Sequence, residues 1–199
     1  MRKLYDFQLS GNCHKVRMML AMLDLQYEVE AIDLLKGEQH APEFLELNPM
    51  HKVPVLDDDG LILADSAAIL IYLARKYGRE DLYPDDPAAM THIQKWLSFS
   101  VNEVFNGLAL ARAMVIFNRE LDEKAVHAVA DIALNTLESR LTIAEWLALD
   151  RPTLADIACY PYTARIEEGN ISLEAFPATR AWIARVEGLP GFIPMPTAG

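Results

Sequence analysis

The stretch that decides the fold is residues 47–73, LNPMHKVPVLDDDGLILADSAAILIYL. Two short apolar runs, 53–56 and 61–63, are separated by DDDG, which is a strong signal for a hairpin. Asp65 and Ser66 then stand where a helix would be capped, and Gly78 is placed to end that helix. The apolar residues of the helix share one face: Ile69, Leu70, Leu73 and Tyr77. The stretch therefore predicts strand, strand, helix.

The residues before this stretch predict a βαβ unit. Residues 3–7 are typical of a strand, 16–23 are apolar at helical spacing, and 27–32 alternate as a second strand. A short helix is expected at 42–47. The βαβ crossover makes its two strands parallel, whereas the hairpin is antiparallel. We therefore expect an α/β domain of βαβ-ββα order with a mixed four-stranded sheet.

The residues after the stretch predict an all-helical domain. Residues 80–87 are charged and carry two prolines, which is typical of a linker. The predicted domains are thus 1–79 and 88–199. Thr153-Leu154-Ala155-Asp156 has the pattern of a capping box. The predicted helices of this domain lie at 88–118, 122–149, 153–167 and 173–188.

Composition excludes several classes of protein. The 199 residues are 52% hydrophobic, which is enough for a core without disulfide staples. The net charge of −11, without a cluster of basic residues, argues against nucleic acid or an anionic membrane as partner. Only two cysteines occur, and the first 15 residues lack the apolar core of a signal peptide. No run reaches the roughly 18 apolar residues of a membrane span, so we expect a soluble, cytoplasmic protein.

Ser10-Gly11-Asn12-Cys13 is the turn where chemistry is expected. It joins the first predicted strand to the first helix, where backbone N–H groups and the helix dipole favour an anion. Thioredoxin-like redox proteins place Cys-x-x-Cys here, and Ser10 in the leading position disfavours dithiol exchange. A serine hydroxyl can instead stabilise the thiolate of a bound ligand. Lowering a thiol pKa of about 8.5 by two units needs about 2.7 kcal/mol.

Each residue of this turn also has a structural explanation. Ser10 could simply occupy a tight turn. Asn12 could be the helix N-cap or an alternative thiolate donor. Cys13 could have a depressed pKa in the first turn of a helix, or it could be a small buried side chain. The residues alone leave these alternatives open.

Two further pairs of residues could hold a peptide. Val53-Pro54 stands at a strand entry, where proline suggests either a cis bond or an edge strand. The backbone of Val53 could then pair with an extended peptide as an added strand does. Asp65-Ser66, at a helix start, could accept an amino group and hold a carboxylate, although simple capping also explains such a pair.

Taken together, residues 4–77 resemble the N-terminal domain of the cytosolic glutathione S-transferases. The segment GEQHAPEFLELNPMHKVPVLDDDGLILADSAAILIYL, residues 37–73, looks like that family's signature from the second helix to the third. TLADIACYPY, residues 153–162, is similar to the buried helix of the family's second domain. Ser10 matches the serine of the theta, delta and phi types. Two departures are Asn12 in place of the proline of Ser-x-Pro-Cys, and Asp65 in place of the commoner Glu.

The resemblance implies a glutathione S-transferase fold and a set of site residues. Val53, before a cis Pro54, would pair with the cysteinyl backbone of glutathione, while Asp65 and Ser66 would hold its γ-glutamyl head. Gln39, His40 and Lys52 fall where relatives place donors to the glycyl carboxylate, with His51 as a neighbouring candidate. Solvated loop polarity is the alternative for these four.

A second-substrate pocket between the domains would use the helix that faces the Ser10 turn. The candidates are Arg112, Met114 and Phe117. The apolar members could equally be bundle core. Arg112 could meet an anionic substrate or pair with Glu103 or another acid.

The expected function is a homodimeric transferase that directs the glutathione thiolate at a small electrophilic or peroxidic molecule, with no metal. Glutathione is the expected cosubstrate. One alternative is a glutathione-dependent disulfide reductase or peroxidase, as in related bacterial types that use Asn or Thr in the turn. Another is a non-catalytic binding or scaffold protein, because the same fold occurs in some translation and stress proteins.

Overall fold

The computed structural model describes residues 1–198. Its first part contains four strands, β1 (Arg2–Asp6), β2 (Glu28–Ala31), β3 (Val55–Asp58) and β4 (Leu61–Ala64), and three helices, α1 (Gly11–Met22), α2 (Pro42–Leu47) and α3 (Ser66–Lys76). A 3-10 turn covers Glu38–His40. Its second part contains α4 (Pro87–Val101), α5 (Leu110–Ile116), α6 (Glu123–Ile143), α7 (Leu154–Ala164) and α8 (Pro177–Glu187).

The sheet is mixed and four-stranded, in the order β2-β1-β3-β4. β1 runs parallel to β2 and antiparallel to β3, and β3 and β4 form the hairpin. In the middle of the sheet Leu4 pairs with Leu56, and both are fully buried. The predicted fold class, a βαβ-ββα domain followed by helices, is confirmed.

Helix α1 is the element that joins the two parts of the molecule. It packs against α3 on one side and against α7 on the other. Most of its residues are therefore buried, including His14 and Lys15. The sequence placed Cys13 in the first turn of this helix with Asn12 as a possible N-cap; the helix begins slightly earlier, at Gly11, and Ser10 is its N-cap.

The predicted helix 88–118 is wrong as a single helix. It is α4, then one π-helical stretch at Val104–Ala109, then α5. Gly107 explains why the chain approaches α6 so closely at this point, because a Cβ on it would lie 2.6 Å from the backbone nitrogen of Ala130. A π-helical insertion of this kind shifts the register of the helix that follows it.

The other helix ends also differ from the prediction. The last residue of the predicted linker, Pro87, already belongs to α4, which Asp86 caps. Leu82 and Tyr83 within the predicted linker are buried in the core. Helix α6 stops at Ile143, six residues before the predicted end. The predicted capping box of Thr153 and Asp156 is present at the start of α7.

Asp156 is a buried junction of the helical part. Besides the N–H of Thr153, it accepts hydrogen bonds from Leu147 N at 3.1 Å and from Trp182 Nε1 at 2.9 Å. Burial raises the pKa of this carboxyl, and these hydrogen bonds lower it by less. Within residues 1–198, no helix is long and apolar enough to cross a membrane.

Candidate active site

A cleft of about 410 Å³ opens between the first turn of α1, the 48–54 loop, the start of α3 and the end of α4. Four separate segments of the chain meet there, which is common for a small-molecule site. The residues that line it are Asn12, Asn48, Met50, Lys52, Val53, Pro54, Ala64, Asp65, Ser66, Val101 and Phe105. Six of the residues predicted from sequence are among them.

The 48–54 loop presents a peptide edge to the cleft. The Val53-Pro54 bond is cis, as the sequence suggested. Asn48 holds the loop in shape, because its Nδ2 donates to Lys52 O at 2.7 Å and its Oδ1 accepts from Met50 N at 3.0 Å. Asn48 was not among the residues predicted from sequence, although the dipeptide Asn48-Pro49 is a turn signal.

Asp65 and Ser66 lie at the N-terminus of α3. Asp65 is the N-cap, and its Oδ1 accepts from Ala67 N at 2.9 Å and Ala68 N at 3.0 Å. Both bonds go to the same oxygen, so the second carboxylate oxygen is available to an ammonium group. Ser66 is the first helical residue, and its N–H has no partner within the helix. Capping therefore explains Asp65, but it leaves one Asp65 oxygen and the Ser66 N–H available to a ligand.

The three candidates of the Ser10 turn occupy different positions. Ser10 is the N-cap of α1, since its Oγ accepts from Cys13 N at 3.3 Å, and it is half-buried. Asn12 is not the cap; it lies in the first turn and lines the cleft. Because Ser10 Oγ uses a lone pair as the cap, its hydroxyl hydrogen remains available for donation.

Cys13 is part of the core beneath the turn. It is fully buried, and its Sγ accepts from Phe7 N at 3.5 Å. Burial, aided by the nearby charge of Asp6, raises the pKa of its thiol to about 12. A thiol with such a pKa is protonated at neutral pH, which argues against Cys13 as a nucleophile or a thiolate site.

The residues expected at the glycyl end lie around the 48–54 loop, but only Lys52 lines the cleft. His40 and His51 are exposed and face each other, with their Nδ1 atoms 2.9 Å apart. Gln39 is half-buried, and its Oε1 has no hydrogen-bond partner among the described residues. Lys52 therefore supplies the positive charge at this end of the cleft.

Arg112 is buried beneath the Ser10 turn and does not line the cleft. It is 2% exposed, and its Nε donates to Glu168 Oε2 at 2.6 Å while its Nη1 donates to Leu9 O at 2.7 Å. Arg112 does not face the cleft as a group for an anionic substrate would; it pairs with an acid, the other alternative that the sequence left open, and that acid is Glu168. The π-helical stretch before α5 determines the direction in which Arg112 points from that helix.

Met114 and Phe117 also lie away from the cleft. Both are partly buried, and the Phe117 ring packs on the Phe7 ring at 5.9 Å. The wall on the helical side is formed instead by Val101 and Phe105, at the end of α4 and in the π-helical stretch. The sequence placed this wall on the correct predicted helix but about two to three turns beyond Phe105. Among residues 1–198, no three His, Cys, Asp or Glu side chains converge as metal ligands.

Comparisons with known proteins assign the chain to a family. The glutathione S-transferase N-terminal domain model matches residues 4–81, and the glutathione S-transferase C-terminal domain model matches residues 108–190. Glutathione S-transferase D7 of Anopheles gambiae is 33% identical over 92% of this chain and 84% of its own length. The disulfide-bond oxidoreductase YfcG of Escherichia coli (strain K12) is 31% identical over 92% of this chain and 89% of its own length.

Solved structures agree with this assignment. A glutathione S-transferase from Pseudomonas fluorescens superposes with a TM-score of 0.90 at 34% identity, covering 98% of both chains. A glutathione transferase homologue from Drosophila mojavensis, solved with bound glutathione, has a TM-score of 0.85 at 30% identity, covering 95% of this chain and 88% of its own. The chain belongs to the glutathione S-transferase family.

Proposed function

We propose that this glutathione transferase binds glutathione along the cleft and directs its thiolate at a small electrophilic or peroxidic molecule. One observation carries the proposal: Asn12, Val53-Pro54 and Asp65-Ser66 meet in a single cleft of about 410 Å³. These groups match the chemistry of an extended peptide that has an amino-acid head at one end and a thiol near the middle.

The binding half of the proposal follows from the order of groups along the cleft. The Val53 backbone pairs with the cysteinyl unit as an added strand does. The Ser66 N–H and hydroxyl hold the γ-glutamyl carboxylate at the positive end of α3, and the free oxygen of Asp65 accepts the amino group. Lys52 attracts the glycyl carboxylate at the opposite end, with His40, His51 and Gln39 beside it.

The catalytic half concerns the sulfur, which we place at the first turn of α1. The Ser10 hydroxyl donates to the thiolate, and the helix N-terminus adds to the stabilisation. Asn12 is the second candidate donor, because it lines the cleft. The electrophile then lies against Phe105 and Val101, which supply the apolar wall on the helical side.

Two variants separate the binding role of Asp65 from its role as a cap. Asp65→Asn keeps an Oδ1 that can cap α3 but removes the charge that an ammonium group needs. We expect the dissociation constant for glutathione to rise about tenfold, as for the loss of one charge-assisted hydrogen bond. Asp86→Asn is the matched control, since Asp86 caps α4 through Ala89 N and lies outside the cleft. Equal affinities in the two variants would refute the assignment.

A second pair of measurements tests the thiolate donor. Ser10→Ala is expected to lower kcat with a generic aryl halide by about 10-fold to 100-fold, the equivalent of about 1.5–3 kcal/mol for a hydrogen bond to a charged group. Asn12→Ala is expected to have a smaller effect. Unchanged turnover in Ser10→Ala, with turnover abolished in Asn12→Ala, would move the donor role to Asn12.

Glutathione-dependent disulfide reduction is the second candidate function. Asn12 in the cleft and the similarity to a relative named a disulfide-bond oxidoreductase are the observations in its favour. Turnover of a mixed disulfide of glutathione, with no turnover of electrophiles, would support it. A chain that fails to bind immobilised glutathione at all would instead be a non-catalytic member of the family.

We further propose that the protein is a cytoplasmic homodimer. Two large apolar side chains, Leu61 and Ile62, are exposed on the edge strand β4, away from the cleft. Surfaces of this kind favour burial against another chain. Sedimentation at micromolar concentration would test the assembly, and a monomer would contradict it.

A further inference from the structure

The Ser10 turn is held from below by two side chains of the helical part. Arg112 Nη1 donates to Leu9 O at 2.7 Å, on one side of Ser10. Tyr162, on α7, accepts from Asn12 N at 3.3 Å, on the other side. The turn that carries the proposed thiolate donor is therefore fixed at both ends by residues outside its own domain.

Tyr162 is the anchor beside Asn12 and Gly11. Its side chain is buried, at 6% exposure. Burial raises the pKa of the Tyr162 hydroxyl, and hydrogen bonds from Asn12 N and with Ser10 offset only part of that rise. The phenol is therefore neutral at working pH and keeps its hydrogen. The contact of the hydroxyl oxygen with the turn is the hydrogen bond that it accepts from Asn12 N at 3.3 Å.

We propose that Tyr162 is a positioning residue for thiolate formation: its hydroxyl accepts the Asn12 N–H and so holds in place the turn that presents Ser10 to the sulfur of glutathione. This inference rests on the proposed role of Ser10. Ser10 Oγ accepts from Cys13 N at 3.3 Å, so the hydrogen of Ser10 remains available to the sulfur once the turn is held in place.

The ring and the hydroxyl of Tyr162 have separable roles. The ring packs so closely on the turn that a Cβ on Gly11 would lie 2.7 Å from it. Phe105 packs edge-on against the same ring at 6.2 Å, and Lys15 Nζ lies 5.9 Å from its centroid. Tyr162→Phe keeps all of these ring contacts and removes only the oxygen. The charged or titratable groups around the hydroxyl are Lys15 and Cys13 on α1 and Arg112 on α5.

The experiment compares Tyr162→Phe with Tyr160→Phe. Tyr160 lies on the same helix, is equally buried, and donates to Glu187 Oε1 at 2.9 Å, away from the turn. The thiol pKa of bound glutathione is read from its ultraviolet thiolate absorbance across a pH series. Loss of the Tyr162 hydroxyl is expected to raise that pKa by about half to one unit, the size of one neutral hydrogen bond. We expect kcat below this pKa to fall about threefold to tenfold, with KM for glutathione unchanged.

Outcomes for this inference and for the proposed function differ. If Tyr162→Phe and Tyr160→Phe give the same thiol pKa, while Ser10→Ala still raises the thiol pKa, the role of Tyr162 is overturned and the proposed role of Ser10 stands. An unchanged thiol pKa in Ser10→Ala overturns both. If Tyr162→Phe does not fold, Asn12→Pro is compared with Asn12→Ala, because both lack the Asn12 side chain and only the proline lacks the N–H that Tyr162 accepts. Equal thiol pKa values in that pair would also overturn the proposal.

Discussion

Replacing Arg112 by methionine is expected to destabilise the protein by about 3 kcal/mol, because breaking a buried ion pair costs about 3–5 kcal/mol. Arg112 is 2% exposed, and methionine keeps most of its stem volume but none of its donors. Two acceptors lose a partner: Glu168 Oε2, at 2.6 Å, and Leu9 O, at 2.7 Å. The Glu168 side chain is 20% exposed and can regain part of its hydration, which favours the lower end of the range.

Urea denaturation measures this change, and a second variant identifies its source. Arg112→Met combined with Glu168→Gln removes the uncompensated charge, so we expect about 1–2 kcal/mol of the loss to be recovered. Arg151→Met is the control, because its pair with Asp150 is exposed and worth about 0–1 kcal/mol. A loss below about 1 kcal/mol in Arg112→Met, or no recovery in the double variant, would refute this account of Arg112.

Three further expectations concern buried polar groups. Burial raises the pKa of Asp58, but hydrogen bonds, first among them that from Lys76, lower it overall. The stabilisation from Asp58 is therefore present above the ordinary carboxyl pKa and is lost as pH falls below about 4. In Asp58→Asn the free energy of unfolding should fall less steeply with pH in this range, and a pH dependence parallel to that of the unmodified protein would contradict this. Cys13→Ala should keep turnover within about twofold, because burial holds the thiol protonated; abolished turnover would contradict it. Asp156→Ala should cost about 3 kcal/mol in urea unfolding, since Trp182 and two backbone donors lose their acceptor, and a loss under about 1 kcal/mol would contradict that.

The peptide-holding side of the site was predictable because its signals are local in sequence. The helix start at Asp65 follows from residue types at fixed separations. At Val53-Pro54 the residues alone left a cis bond and an edge strand open, and the family resemblance favoured the cis bond that is present. The mixed sheet also followed from local elements, since a βαβ crossover makes one pair of strands parallel and a tight hairpin makes another pair antiparallel. Local signals are sufficient for the helix start and for the mixed sheet.

The helical wall could not be predicted to the residue, because its position depends on packing. The close approach of Gly107 to α6 and the π-helical stretch around it rotate everything that follows. Arg112 therefore lies beneath the Ser10 turn, while Phe105 reaches the cleft. Tyr162 was missed for a related reason: its partner Asn12 lies 150 residues away along the chain.

A crystal structure of the protein with glutathione tests the central claim most directly. The account predicts the γ-glutamyl carboxylate on Ser66, the cysteinyl backbone paired with Val53, and the sulfur within about 3.5 Å of Ser10 Oγ. An empty cleft at saturating glutathione would contradict the claim. So would a tripeptide bound in the opposite direction, with its sulfur away from the first turn of α1.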